Sequence, residues 1–277
     1  PHVSGCVMIF YIRILKNRPA IIMKKEKSFR VFVIYALLLQ FAVLASQNQI
    51  INSSLPATVK NYNARDATVQ VIISFADIAD EQSSIVAYSG TGTIIASNDD
   101  DVYVLTARHV CAPDTSTRAR MLGMIPVVEI QDSSGEYHAS EISLVSDTDD
   151  LCIVKYESNN AHLAMVASIS NNEPTLDTPA FAYAAPSGFY VPSAITRFRG
   201  TFAGNASLHY GQVSGVYTIP ATGGSSGAAI INKDGEIIGV IHSTLVDFHH
   251  ISLASTYHRT ISFIEELEAQ ENIIIID

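Results

Sequence analysis

Tryptophan is absent and cysteine nearly so, with three in 277 residues. Three cysteines are too few for a disulfide scaffold, and no stretch has a Cys/His spacing that would hold zinc. Charged side chains make up only 16% of the chain while 48% is apolar, too much to bury for a disordered protein. Fifteen glycines and ten prolines are ordinary for this length, which excludes collagen-like, linker-rich and low-complexity classes. The length allows one or two domains with a sizeable core. The missing tryptophan carries no functional information.

Basic charge is scarce outside the first 45 residues. That segment holds seven Lys/Arg and one acid, Glu26, which leaves 10 basic and 26 acidic residues and a net charge of −16 in the remainder. A body this acidic lacks the basic face that phosphate binding needs, so nucleic acid is not an expected partner. It suits a protein that stays dispersed. The run from Val31 to Ala45, VFVIYALLLQFAVLA, is uncharged, follows KKEKSFR and ends in small residues, the pattern of a secretory signal. At ~1.5 Å per residue a helix of this length spans roughly 22 Å, short of a ~30 Å bilayer core. A membrane tether through residues 31–45 is the other reading. Met23 opens a compact basic head, MKKEKSFR, and residues 1–22 read as an upstream extension or part of a larger product. Either way the body is expected to be secreted or periplasmic, or anchored with its bulk outside the cytosol.

Residues 46–67 are polar and aperiodic and read as a linker. From Thr68 the chain becomes a series of short β-type runs separated by Gly, Asp, Asn and Ser: TVQVIISF (68–75), GTGTIIAS (90–97), VYVLTA (102–107), IPVVEIQD (125–132), LCIVKYE (151–157), AITRFRG (194–200), AAIIN (228–232) and EIIGVIHS (236–243). Such a pattern predicts an all-β sandwich or barrel. A hinge between halves is expected near 157–175. The spacing predicts one terminal helix over 262–270, capped by Ser262 with Glu265 as its capping-box partner, and a tail over 269–277.

Three segments carry chemistry, in the order His, Asp, Ser. YVLTARHVC ends a hydrophobic run on His109. DTDDLCIVKY sets acids directly before an apolar strand. ATGGSSGAAIIN places Ser226 inside Gly224-Ser225-Ser226-Gly227. A serine hydroxyl is a weak nucleophile at neutral pH and needs an adjacent base. Histidine supplies one near working pH. A carboxylate fixes the imidazole tautomer and stabilises the imidazolium. A glycine-rich turn lets backbone N–H groups, here those of Gly224 and Ser226, converge on a developing oxyanion.

On these residues, about 68 to 268 resembles the trypsin-like (chymotrypsin-fold) serine peptidases, the compact bacterial and viral kinds in particular. Ser-Gly-Thr-Gly-Thr (89–93) resembles the family's lead-in to an apolar strand. LTARHV resembles L-T-A-x-H-V, Asp150-Leu151 resembles D-[IL]-A, and GGSSGAAIIN followed by DGEIIGVI resembles G-N-S-G-G-P-[LV] and the strand after it. The resemblance implies two six-stranded antiparallel β-barrels, about 68–160 and 175–260, with the site in the cleft between them. It implies His109 as general base, Asp150 as its orienting partner and Ser226 as nucleophile, with Asp147 and Asp149 as rivals for the acid. No metal or organic cofactor is implied.

Departures from the family narrow the reading. Ser225 stands where digestive members carry the acid that pairs with a new N-terminus, so a preformed oxyanion hole is expected, as in the HtrA and glutamyl-endopeptidase branches. No C-terminal peptide-binding domain is expected. Pro220, six residues before Ser226, leaves no acid to select Lys or Arg. Thr222 and His242 resemble the pair that holds an acidic or amide side chain in glutamyl endopeptidases. However, His242 lies three residues after Gly239 rather than two, and an offset of one turns a strand side chain to the other face. The alternative is that His242 hydrogen-bonds near the triad. Cys111 and Cys152 each lie two residues past a triad member; two buried thiols are the expected state, with a disulfide as the other reading.

The leading expectation is a serine endopeptidase acting on protein or peptide substrates through an acyl-enzyme. Two alternatives stand beside it. One is a peptidase-like fold used as an inactive binding module, although such proteins usually lose a triad residue. The other is a viral polyprotein-processing peptidase, with residues 1–45 as its membrane segment.

Overall fold

A computed structural model describes residues 62–77, 80–98, 100–112, 124–161, 164–207, 212–245 and 247–276. The basic and apolar segment 1–45 and the polar stretch 46–61 lie outside the described residues. Among the described residues no helix is long and apolar enough to cross a membrane.

Twelve strands form two closed antiparallel barrels. The first uses β1 (Thr68–Asp77), β2 (Asp80–Ser97), β3 (Asp101–Thr106), β4 (Met124–Gln131), β5 (Tyr137–Val145) and β6 (Cys152–Glu157) in the order β1-β2-β3-β6-β5-β4. It closes where β4 pairs with β1, Gln70 opposite Gln131 through Asp77 opposite Met124. The second uses β7 (Pro179–Ala184), β8 (Thr196–Ser207), β9 (Val213–Tyr217), β10 (Ala229–Ile231), β11 (Ile237–Leu245) and β12 (Phe248–Ala254) in the order β10-β11-β12-β9-β8-β7. It closes where Ile230 and Ile231 meet Ala182 and Phe181. Residues 158–178 connect the two.

The period-2 alternation of β1 sends Val69, Val71 and Ile73 into the first core, all fully buried. Its other face is not left to water: Tyr190 donates to the Thr68 carbonyl, and the Gln70 amide donates to Ser89 Oγ and the Gly188 carbonyl. Strand β10 shows how the two cores meet. Ala229 and Ile231 join the first core while Ile230, between them, joins the second. The second core is lined by small residues, Ala180, Ala182, Ala184 and Ala254, around Phe202 and Tyr217, whose rings lie 5.1 Å apart.

The terminal helix is longer than the sequence implies. It runs from Tyr257 to Glu271 with Thr256 at its N-cap, so Ser262 sits inside it and caps nothing. The misleading signal was the Ser262/Glu265 spacing. The first turn is instead set by Thr260, whose hydroxyl donates to the Thr256 carbonyl and lies 2.7 Å from Ser255 Oγ. Thr260, Phe263, Ile264 and Leu267 are its buried stripe. Past the helix, the Ile275 and Ile276 N–H groups fold back onto Glu268 Oε1.

Rather than two thiols, Cys111 and Cys152 form a disulfide, with Cα atoms 6.5 Å apart. The strand register explains it. Thr106 is the partner of Cys152, and the single helical turn α1 (Arg108–Cys111) folds Cys111 back over that strand end. The bridge closes a loop of 41 residues. By loop-closure entropy, replacing both cysteines with serine is expected to cost about 4 kcal/mol of stability, read from the urea unfolding midpoint.

Candidate active site

The first barrel contributes a histidine and a carboxylate. Strand β3 ends at Thr106, and the Ala107 carbonyl accepts from Val110 and Cys111 N–H, winding α1. Val110 and Cys111 are buried, so the turn is anchored on one side and His109 faces outward with 49% of its side chain exposed. On the adjoining β5–β6 connection, Ser146 Oγ accepts from Thr148 and Asp149 N–H, and Ser146 N–H donates to the Leu151 carbonyl. That tight turn aims Asp150 back at His109.

The Asp150 carboxylate takes two hydrogen bonds from one residue. Oδ1 accepts the His109 backbone N–H at 2.9 Å, and Oδ2 lies 2.7 Å from His109 Nδ1. A carboxylate at Nδ1 keeps the proton there and leaves Nε2 as the basic nitrogen. Burial opposes ionisation of Asp150, but the two His109 hydrogen bonds and the neighbouring imidazole charge outweigh it and hold the carboxyl below its usual range. The rival acids go elsewhere. Asp149 pairs with Arg259 of the terminal helix at 2.6 Å and accepts from Thr148, and Asp147 is exposed.

The second barrel contributes the turn Gly223 to Gly227. Ser225 is buried; its N–H donates to the Thr222 carbonyl and its hydroxyl accepts the Thr222 N–H. Gly224 and Gly227 have φ of +87° and +88°, where a side chain is strained. Space forbids one as well. A Cβ on Gly224 would lie 2.3 Å from the Ala185 carbonyl oxygen, and one on Gly227 would lie 2.0 Å from the Thr91 oxygen and 2.2 Å from Thr106 Oγ1. Gly227 therefore rests on the strand end that carries His109. A Cβ on Gly90 would lie 2.6 Å from Val110 Cγ1 and 3.0 Å from the Ser226 carbonyl oxygen. His109 and Ser226 thus flank one seam. Among the described residues no hydrogen bond joins Ser226 Oγ to the ring, and such bonds are often long until substrate is bound.

Two N–H groups of this turn are notable. Among the described residues neither Gly224 N–H nor Ser226 N–H donates a hydrogen bond, while the surrounding peptides are pinned. The Gly223 carbonyl accepts Ser187 N–H, the Gly224 carbonyl accepts the Thr91 hydroxyl at 2.7 Å, and the Ser226 carbonyl accepts Thr91 N–H at 2.8 Å. In a trans peptide C=O and N–H point opposite ways, so holding the Gly223 oxygen aims the Gly224 N–H away from Ser187.

Of the candidate specificity residues, Pro220 and Thr222 lie in the segment before Ser226 and His242 lies on β11. Thr222 is exposed, Pro220 is half-buried, and no hydrogen bond among the described residues joins Thr222 to His242. On β11, His242 Nε2 lies 3.2 Å from Ser214 Oγ and Nδ1 lies 3.0 Å from Ser243 Oγ. Its electrostatic neighbours are Asp150, His109 and Asp149. Thr91, Ser187 and Ser214 escaped the sequence reading. Only Thr91 lay in a marked segment, where it passed for part of a strand.

Burial pushes the His242 imidazole below its ordinary 6.5, and the Asp150 charge pulls against it. A depressed pKa contributes stability that is fully present above 6.5 and lost as pH falls through the folded value. Urea unfolding midpoints measured between pH 7 and pH 5 are therefore expected to fall. His242→Gln is expected to flatten that slope.

A family model described as a trypsin-like peptidase domain matches residues 90–240, a span that contains His109, Asp150 and Ser226. Among solved structures, the chain is similar to the serine endoprotease from Yersinia pestis, with a TM-score of 0.54 and 20% identity. That match covers 76% of this chain and 65% of the other, and at such identity it speaks for the fold. No curated protein matches the chain. With the family model spanning more than half of its residues, this chain belongs to the trypsin-like peptidase domain family.

Proposed function

We propose that the protein is a serine endopeptidase that cleaves peptide bonds through an acyl-enzyme on Ser226. His109 Nε2 takes the Ser226 proton as the hydroxyl attacks the scissile carbonyl, and returns it to the leaving amine. Asp150 keeps the imidazole in the required tautomer and offsets its charge while it is protonated. The Gly224 and Ser226 N–H groups stabilise the oxyanion. Water then repeats the sequence on the acyl-enzyme. The observation that carries this reading is the double hydrogen bond of Asp150 to His109. It is the arrangement a general base needs, and a merely structural histidine does not require it.

The loop hydrogen bonds around Gly223–Gly227 are all made by residues within the folded body, which supports a site assembled without an activation cleavage. The uncharged Pro220 supports a preference other than Lys or Arg. Export through the segment at 1–45 agrees with the Cys111–Cys152 disulfide, since such bridges persist in oxidising compartments.

The test begins with a fluorophosphonate probe on the full chain and mass mapping of the adduct. Labelling at Ser226 that vanishes in His109→Ala is expected; no labelling of folded protein would overturn the assignment in favour of a binding module. Ser226→Ala is expected to abolish turnover and Asp150→Asn to cost about 10⁴-fold in kcat. Asp149→Asn is expected to stay within a few-fold, because its partner is Arg259 rather than the imidazole. A peptide-library profile dominated by Lys or Arg before the cut would overturn the specificity reading.

A further inference from the structure

Thr91 is fully buried on β2 in the first barrel, yet most of its polar groups serve the second. Its hydroxyl donates to the Gly224 carbonyl at 2.7 Å and accepts the Ala185 N–H at 3.0 Å. Its N–H donates to the Ser226 carbonyl at 2.8 Å, and its own carbonyl accepts the Thr106 hydroxyl at 2.7 Å, three residues before His109. The same carbonyl is the atom a Cβ on Gly227 would strike. One residue thereby holds the Gly224–Ser225 and Ser226–Gly227 peptides, the loop at Ala185 that backs them, and the strand end that carries the histidine.

Building on the peptidase reading above, we propose that Thr91 is a positioning residue for the oxyanion site. Its hydroxyl bridges Gly224 and Ala185 and thereby fixes the turn on which the Gly224 and Ser226 N–H groups are presented. Ser225 is uncharged, so the turn has no ion pair at that position to anchor it. Gly224 at φ +87° and Gly227 at φ +88° confer freedom that some contact must remove. The hydroxyl supplies that contact from the opposite barrel, so the donors are in place before substrate arrives. Thr91 touches no reacting atom; it acts through the peptide it holds.

The pair Thr91→Val and Thr91→Ser separates this role from packing. Valine preserves the branched shape and removes the hydroxyl; serine keeps the hydroxyl and removes the methyl. With the best peptide from the library, Thr91→Val is expected to lower kcat about 10²-fold with KM little changed, the cost typical of a misplaced catalytic group. Affinity for a peptide boronate, which mimics the tetrahedral oxyanion, is expected to fall in parallel. Thr91→Ser is expected to restore both to within about threefold of wild type, a margin set by the small loss in packing. Circular dichroism checks folding, and Thr91→Cys, with a weaker donor in the same space, stands in if the valine variant does not fold, with at least a tenfold loss in kcat expected. An active wild type with kcat and boronate affinity unchanged in the valine or cysteine variant overturns this role alone. So does a serine variant as impaired as the valine one. A wild type that neither cleaves nor labels at Ser226 overturns the peptidase reading and this inference with it.

Discussion

The seam where Gly227 lies against Thr91 and Thr106 is the constraint on which the site depends. A Cβ at 227 would fall 2.0 Å from one backbone oxygen and 2.2 Å from a hydroxyl. Only a residue without a side chain lets the two barrels come this close. That approach brings the His109 segment of one barrel beside the Ser226 turn of the other. Each barrel can close its own sheet and bury its own core, but neither holds a complete site. Sites at such junctions are common because the surrounding sheets are rigid while the loops between them vary freely.

Charge around the seam is arranged so that each half-buried acid has a separate partner. Asp150 takes the ring and the backbone of His109, while its neighbour Asp149 takes Arg259. Two adjacent carboxylates facing the same imidazole would raise each other's pKa and blur the tautomer. Turning them in opposite directions from one tight turn avoids that. It also ties the terminal helix to the loop that carries Asp150. The disulfide between Cys111 and Cys152 reinforces the same geometry, since it joins the residues two places beyond His109 and Asp150. His242, whose pKa burial lowers, is bonded to Ser214 and Ser243. Asp150, His109 and Asp149 are its electrostatic neighbours.

Eight strands were legible from alternating or continuous apolar runs. The four that were not are β5, β7, β9 and β12. Strand β5 has no buried residue, and its apolar residues do not keep a period of two. Strand β7 is built of Pro, Ala and two aromatics, and β9 carries a glycine at its centre. Strand β12 opens Phe-His-His, exposed at that end. Such segments become strands because the neighbouring edges need partners and closure leaves no free edge, a demand that comes from the sheet.

Local pattern was enough for an all-β sandwich or barrel and for His109, Asp150 and Ser226 as candidates, because strand periodicity and glycine-bounded turns are written in neighbouring residues; the family resemblance added the two barrels, which the structure has. The preference for Asp150 over Asp149 rests on the family resemblance, and in the structure it is Asp150 that bonds His109. Contacts between distant residues left no such mark. The Thr91 hydroxyl meets Gly224 across 133 residues, the disulfide spans 41, and the neighbours of His242 include a serine 28 residues away. Hydrogen-bond geometry and thiol separation are properties of folded distance. Only packing the two barrels together could decide which buried hydroxyl meets the Gly224 carbonyl, whether two thiols meet, and which partners one imidazole takes.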